Sequence, residues 1–138
     1  MRQELNFWVL GGDMRQGKLA QLLSEDGHRV HAYALEEGVV PAGGLTVEGS
    51  LLGAGEADCV VLPLPVTQGE GKLNCPLSRL EPTLVQVMEA LRPGQMVCGG
   101  RVDPVTEALA GQRGITVLDY FAREELAVAN AVPTAEGA

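Results

Sequence analysis

The sequence predicts an α/β sandwich of about five parallel strands with helices on both faces. Three observations carry that expectation. Short, nearly continuous apolar runs recur along the chain, as strands buried on both faces of a parallel sheet require. Between them stand stretches whose apolar residues fall at helical spacing. Glycine and Pro-Gly punctuation separates one kind of stretch from the other. Regular strand–helix alternation demands right-handed crossovers and a parallel sheet covered on both sides. The 138 residues, 46% apolar and 20% charged, match one globular domain with its own core.

The first strand is NFWVL, Asn6–Leu10. Leu19, Leu22 and Leu23 then mark a helix, and Gly27 supplies its C-terminal stop. RVHAYAL, Arg29–Leu35, is the second strand. From Glu36 to Gly55 the pattern weakens: six glycines and one proline make a regular crossover helix doubtful, and Leu45–Glu48 is a possible short strand. DCVVLPL, Asp58–Leu64, is the next strand and is too apolar for an edge. Leu80, Leu84, Val87, Met88 and Leu91 form a helical stripe, with Pro82 in its first turn and Pro93-Gly94 at its end. QMVCGG, Gln95–Gly100, follows as a strand. Asp103 and Pro104 open another helix, which Gly114 closes. ITVLDY, Ile115–Tyr120, is the last strand, and FAREELAVANAV the last helix. Five strands in this arrangement fit a flavodoxin-like or Rossmann-like order, 2-1-3-4-5. No internal repeat or low-complexity tract interrupts the pattern.

Charge excludes several partners. Eighteen acidic residues against ten basic ones leave a net charge of −8, a field that repels a phosphate backbone or an anionic membrane. Any anion must therefore be captured locally. No apolar run approaches a membrane span, and Met1-Arg2-Gln3-Glu4 leads into the first strand without a signal peptide. Three cysteines, Cys59, Cys75 and Cys98, lack metal-ligand spacing, and Cys59 and Cys98 sit in strand-like runs where thiols pack as small hydrophobes. The expectation is a reducing, cytoplasmic protein without a metal site. His28 and His31, at the start of the second strand, read as packing or surface residues.

In an open parallel sheet, ligands bind beyond the carboxyl ends of the strands, where the strand order reverses. Two loops emerge there: Gly11–Gln16 (GGDMRQ) and Pro63–Gly71 (PLPVTQGEG). The first opens a helix, whose N–H groups and dipole favour an anion. Gly11 and Gly12 permit close backbone approach, and Arg15 offers a planar fork for a carboxylate or phosphate. The plainer alternative makes Asp13 an N-cap and Arg15 a solvated helix residue. The second loop, with Thr67, Gly69, Glu70 and Gly71, is long enough for a lid, or is a plain connection. A phosphate-accepting receiver is excluded, because the places for its Asp and Lys hold Pro63 and Asp119-Tyr120. Flavin phosphate binding is disfavoured because Gly11–Gln16 has no hydroxyl. No Ser-His-Asp or Cys-His arrangement is present.

Read in order, GGDMRQ, LPLPVTQGEG and DYFAREELAVANAVPTAEGA resemble the amino-terminal domain of the dipicolinate synthase A-subunit, over essentially the whole chain. The resemblance implies an α/β domain over residues 1–130, with 131–138 beginning a hinge to a nucleotide-binding domain absent from this chain. It implies NAD(P)-dependent oxidation of a dihydrodipicolinate-type ring, together with a B-subunit, in the mother cell of a sporulating bacterium. The nicotinamide would belong to the other domain, with no cofactor expected here and the isolated domain inactive. The substrate wall would comprise Gly11, Gly12, Asp13, Arg15, Gln16, Thr67, Gly69 and Gly71, with Asn130, Thr134 and Glu136 at the hinge. No acid or base is assigned, though Asp13 and Glu70 stand near. Two other readings remain: a docking or homo-oligomerising module using the VANAV segment, and a stand-alone nucleotide domain with Glu36 or Glu37 at the ribose.

Overall fold

The computed structural model describes residues 5–40, 43–67, 71–99 and 102–119. It contains β1 (Asn6–Leu10), α1 (Met14–Glu25), β2 (Arg29–Tyr33), β3 (Leu45–Glu48), β4 (Cys59–Val61), α2 (Leu84–Ala90), β5 (Met96–Gly99), α3 (Pro104–Gln112) and β6 (Val117–Asp119). All six strands form one sheet in the order β3-β2-β1-β4-β5-β6, and every pairing is parallel. Five of them stand in the order expected from the sequence. The sixth, β3, extends the sheet beyond β2 in register Val30↔Leu45 to Tyr33↔Glu48, which completes the doubly wound order of dinucleotide-binding folds. Its sequence signal is weak because it is a four-residue edge strand: Leu45 is buried, whereas Thr46 is exposed. Among the described residues the β2–β3 connection holds turns and no helix.

Side-chain alternation along the strands divides the core in two. Val9, Val30, Ala32, Cys59 and Val61 point to the face packed by Ala20, Leu19 and Leu23 of α1. Trp8, Leu10, Tyr33, Val60, Leu62 and Val97 point to the other face, under Leu84, Val87 and Met88 of α2 and Ala110 of α3. Burial on both sides explains why the central strands read as unbroken apolar runs.

Helix boundaries follow capping chemistry more closely than the apolar stripe. Thr83 and Gln86 form a reciprocal capping box: the Gln86 N–H donates to Thr83 Oγ1 (3.1 Å), and the Thr83 N–H donates to Gln86 Oε1 (3.0 Å). The box starts α2 at Leu84, so Leu80 packs from the preceding loop and Pro82 lies before the cap rather than inside the first turn. Asp103 takes the N-cap conformation ahead of Pro104, but its carboxylate accepts from the Thr106 hydroxyl instead of a backbone N–H. The expected strands Arg29–Leu35 and Ile115–Tyr120 are shorter, ending at Tyr33 and spanning Val117–Asp119. The FAREELAVANAV segment and the hinge residues Asn130, Thr134 and Glu136 lie outside the described residues.

Candidate functional site

β1 and β4 lie side by side at the centre of the sheet, and the chain leaves them toward opposite faces, α1 on one and α2 on the other. The turn after β1 is built from two left-handed glycines, Gly11 (φ 55°) and Gly12 (φ 89°). A Cβ on Gly11 would meet the Asn74 carbonyl oxygen at 2.6 Å, and one on Gly12 would meet Gln16 Cβ at 2.6 Å. Both amides are used within the chain: Gly11 N–H donates to Tyr33 O (2.8 Å) and Gly12 N–H to Asn74 O (2.7 Å). The glycines thus admit neighbouring segments of the same chain.

At the head of α1, Asp13 accepts the Arg15 backbone N–H (2.9 Å) and pairs with the Arg15 guanidinium, Nη2–Oδ2 3.0 Å and Nε–Oδ1 3.2 Å. The side-chain bond to Arg15, then the Arg15 backbone N–H, hold the Asp13 carboxyl below its ordinary value. Asp13 is therefore a true N-cap, and Arg15 is folded back over it. Gln16, one residue on, points inward and is only 7% exposed. Its Nε2 donates to Leu10 O (3.2 Å) and Val61 O (3.3 Å), clamping together the carboxyl ends of β1 and β4.

These residues open onto a pocket of about 210 Å³ lined by Gly12, Asp13, Arg15, Gln16, Leu19 and Leu64. The Gly11–Gln16 turn and the loop after β4 thus share one rim. The loop reaches the lining through Leu64. Thr67 is instead bridged to Leu73, Gly71 is exposed and accepts the Leu84 N–H (2.8 Å) through its carbonyl, and Gly69 lies outside the described residues. Asn74 pins the near arm of the loop, donating from its backbone to Val66 O (2.9 Å) and from its side chain to Pro65 O (3.0 Å). Leu19 and Leu64 were not expected at the site, since an apolar residue beside a loop carries no distinguishing signal in sequence. Nor was Asn74, whose return to the β1 turn is purely tertiary.

A sheet of this order ordinarily holds a dinucleotide across the β1 turn and the end of β2. The residues there do not fit one, because the 74–79 segment occupies the same hydrogen-bonding groups. Gly12 N–H is taken by Asn74 O, and Glu37 N–H donates to Leu77 O (3.0 Å). The Glu36 carboxylate, placed for a ribose, accepts the Arg79 N–H (2.9 Å) and the Ser78 hydroxyl. Burial alone would raise the Glu36 carboxyl; the Arg79 and Glu36 backbone N–H groups, the Ser78 hydroxyl and the Arg79 charge outweigh it and hold it low. The Asp13 carboxylate adds like charge where a pyrophosphate would approach.

The remaining polar groups serve packing. His31 is stacked on Trp8 (centroids 5.0 Å apart) and bonded to Glu48 (2.7 Å), and His28 accepts the Leu5 N–H (3.1 Å). Burial, then the neighbouring Cys98 thiol, push Cys59 up to about 12, and burial raises Cys75 as well, so neither supplies a thiolate. Among the described residues no group of three or more His, Cys, Asp or Glu is placed to hold a metal, and no helix is long and apolar enough to cross a membrane.

The fold and site define a doubly wound α/β domain whose dinucleotide groove is closed by its own chain and whose switch point keeps a small pocket. The chain belongs to the family of dipicolinate synthase A-subunit N-terminal domains, whose family model matches residues 6–121. It is 28% identical over 137 residues to the dipicolinate synthase A-subunit of Bacillus subtilis (strain 168), covering 96% of this chain and 46% of that protein. Two crystal structures share the fold. The A chain of dipicolinate synthase from Bacillus subtilis gives a TM-score of 0.78 at 24% identity, over 99% of this chain and 47% of that one. The dipicolinate synthase A-subunit from Bacillus halodurans gives 0.75 at 21% identity, over 96% and 46%. The chain thus spans about half the length of these relatives.

Proposed function

We propose that this chain forms the substrate-facing wall of a dipicolinate synthase A-subunit. In this reading the switch-point pocket binds a carboxylate of a reduced, dihydrodipicolinate-type ring, which the active enzyme oxidises to pyridine-2,6-dicarboxylate during sporulation. The B-subunit of the synthase is the protein partner. The nicotinamide dinucleotide that accepts the hydride is held outside these 138 residues, across the cleft from the pocket. The observation that supports this most is the pairing of a small pocket carrying Arg15 with a closed dinucleotide groove beside it. At about 210 Å³ the pocket is smaller than the roughly 300–1,000 Å³ of drug-sized sites, which suits one end of a small dicarboxylate.

Arg15 carries the binding role. A guanidinium has five N–H donors in a fixed fork, and the bonds to Asp13 employ Nε and Nη2. An incoming carboxylate shares the fork with Asp13 or displaces it, so Asp13 keeps the cation neutralised until substrate arrives. With a net charge of −8, this local capture is what draws in a dianion. The test is steady-state kinetics of the active enzyme carrying Arg15→Lys or Arg15→Ala. Arg15→Lys keeps the charge and loses the fork. kcat/KM is expected to fall about tenfold or more, in line with a charge-assisted bond worth about 1.5–3 kcal/mol. Unchanged kinetics in both variants would return Arg15 to the role of a solvated helix residue.

A further inference from the structure

The two ends of the Gln16 amide face different surroundings. The nitrogen end donates to Leu10 O and Val61 O. A flipped amide would set its oxygen against those two carbonyl oxygens, so the orientation is fixed by the partners themselves. The oxygen end, Oε1, accepts no hydrogen bond among the described residues. It also keeps contact with solvent: the sealed, unpartnered side-chain acceptor among the described residues is Asn6 Oδ1, not this one. Gln16 is 7% exposed and is one of the residues that line the pocket.

A rigid amide oxygen on a residue that lines a pocket accepts and cannot donate. Both donors are held by the ends of β1 and β4, so the group cannot adapt by turning over. Gly12 secures the arrangement, because any side chain there would collide with the Gln16 stem. We propose that Gln16 is the pocket's recognition residue for a hydrogen-bond donor: its Oε1 accepts from an N–H or O–H of the ligand whose carboxylate is bound by Arg15. The inference rests on reading this pocket as the substrate site and names the substrate feature that reading leaves open. A reduced ring carrying an N–H or hydroxyl satisfies Oε1. An aromatic pyridine directs a nitrogen lone pair at it and is repelled. The pocket thus favours a ring that presents such a donor over the aromatic pyridine.

The test uses two planar dicarboxylates of equal charge and nearly equal shape. Pyrrole-2,5-dicarboxylate carries a ring N–H donor; furan-2,5-dicarboxylate places an acceptor oxygen there. Dissociation constants are measured on the full chain by NMR titration, which reads weak binding residue by residue. The pyrrole compound is expected to bind about tenfold tighter, the size of one well-made hydrogen bond, and to shift the Gln16 side-chain amide resonances. In Gln16→Met the preference is expected to shrink to within about twofold. Because that variant strips the Leu10 and Val61 carbonyls of their donor, its fold is checked by its amide spectrum; should it not fold, the wild-type affinity ratio and Gln16 shifts decide alone. Equal wild-type affinities at the pocket overturn the role of Gln16 and leave the substrate pocket standing. A preference that persists in folded Gln16→Met also overturns it. If neither compound perturbs the pocket, the role of Gln16 and the substrate reading both fall.

Discussion

A carboxylate at the first turn of a helix takes the nearest N–H donors, and at the head of α1 those belong to Arg15. Asp13 combines two contributions there, a cap and an ion pair, and pH separates them. Its folded carboxyl is held below the ordinary value near 3.8, chiefly by Arg15. A depressed carboxyl adds stability above its unfolded value and loses it as pH falls through the folded one. Asp13→Ala is expected to cost about 1 kcal/mol at pH 6 in urea titrations, as N-cap losses do. Asp13→Asn keeps a capping oxygen and should cost less, and its deficit should close below pH 3.8. A deficit in Asp13→Asn that is constant with pH would deny the ion pair any role. Residue types at this turn were legible in sequence, and so was the choice between cap and ligand site. The outcome was not, because Arg15 can reach its own cap or a ligand from the same backbone position. Gln16 was even less legible, since its partners at Leu10 and Val61 are assembled only when β1 and β4 pair.

At the scale of elements, one glycine contradicts its local propensity. Gly17 lies inside α1, where Gly→Ala ordinarily gains about 1 kcal/mol. Here a Cβ would overlap the Gly38 carbonyl oxygen in the turn after β2, and a backbone carbonyl cannot swing aside as a side chain does. Gly17→Ala is therefore expected to destabilise by about 1–3 kcal/mol, as overpacking does. Chemical denaturation checks the sign, and a stabilised variant would show that α1 and the turn are less closely packed. The central strands and α1 were readable because burial on both faces and helical spacing are local patterns. β3 was half-readable, since an edge strand of four residues exposes Thr46 and offers little contrast. The start of α2 was misplaced because the apolar stripe continues to Leu80, while the Thr83–Gln86 box decides where the helix begins.

Taken as a whole molecule, the domain keeps the strand order of a dinucleotide-binding fold and fills the dinucleotide's place with residues 74–79. Beside it the switch-point pocket stays open, with Arg15 and Gln16 in its lining. The missing G-x-G-x-x-G fingerprint was a sequence sign of the same thing, but the filling segment was not foreseeable, because its contacts span from 40 residues (Glu37 to Leu77) to 62 (Gly12 to Asn74). The most direct measurement is the map of amide shifts when the chain is titrated with pyrrole-2,5-dicarboxylate and, separately, with NAD. The expected result is millimolar or tighter binding of the dicarboxylate, with shifts centred on Gly12, Arg15, Gln16, Leu19 and Leu64, and no saturable shifts with NAD at Gly12 or Glu36. Micromolar binding of NAD with shifts at Gly12 and Glu36, and none from the dicarboxylate around Arg15, would contradict it.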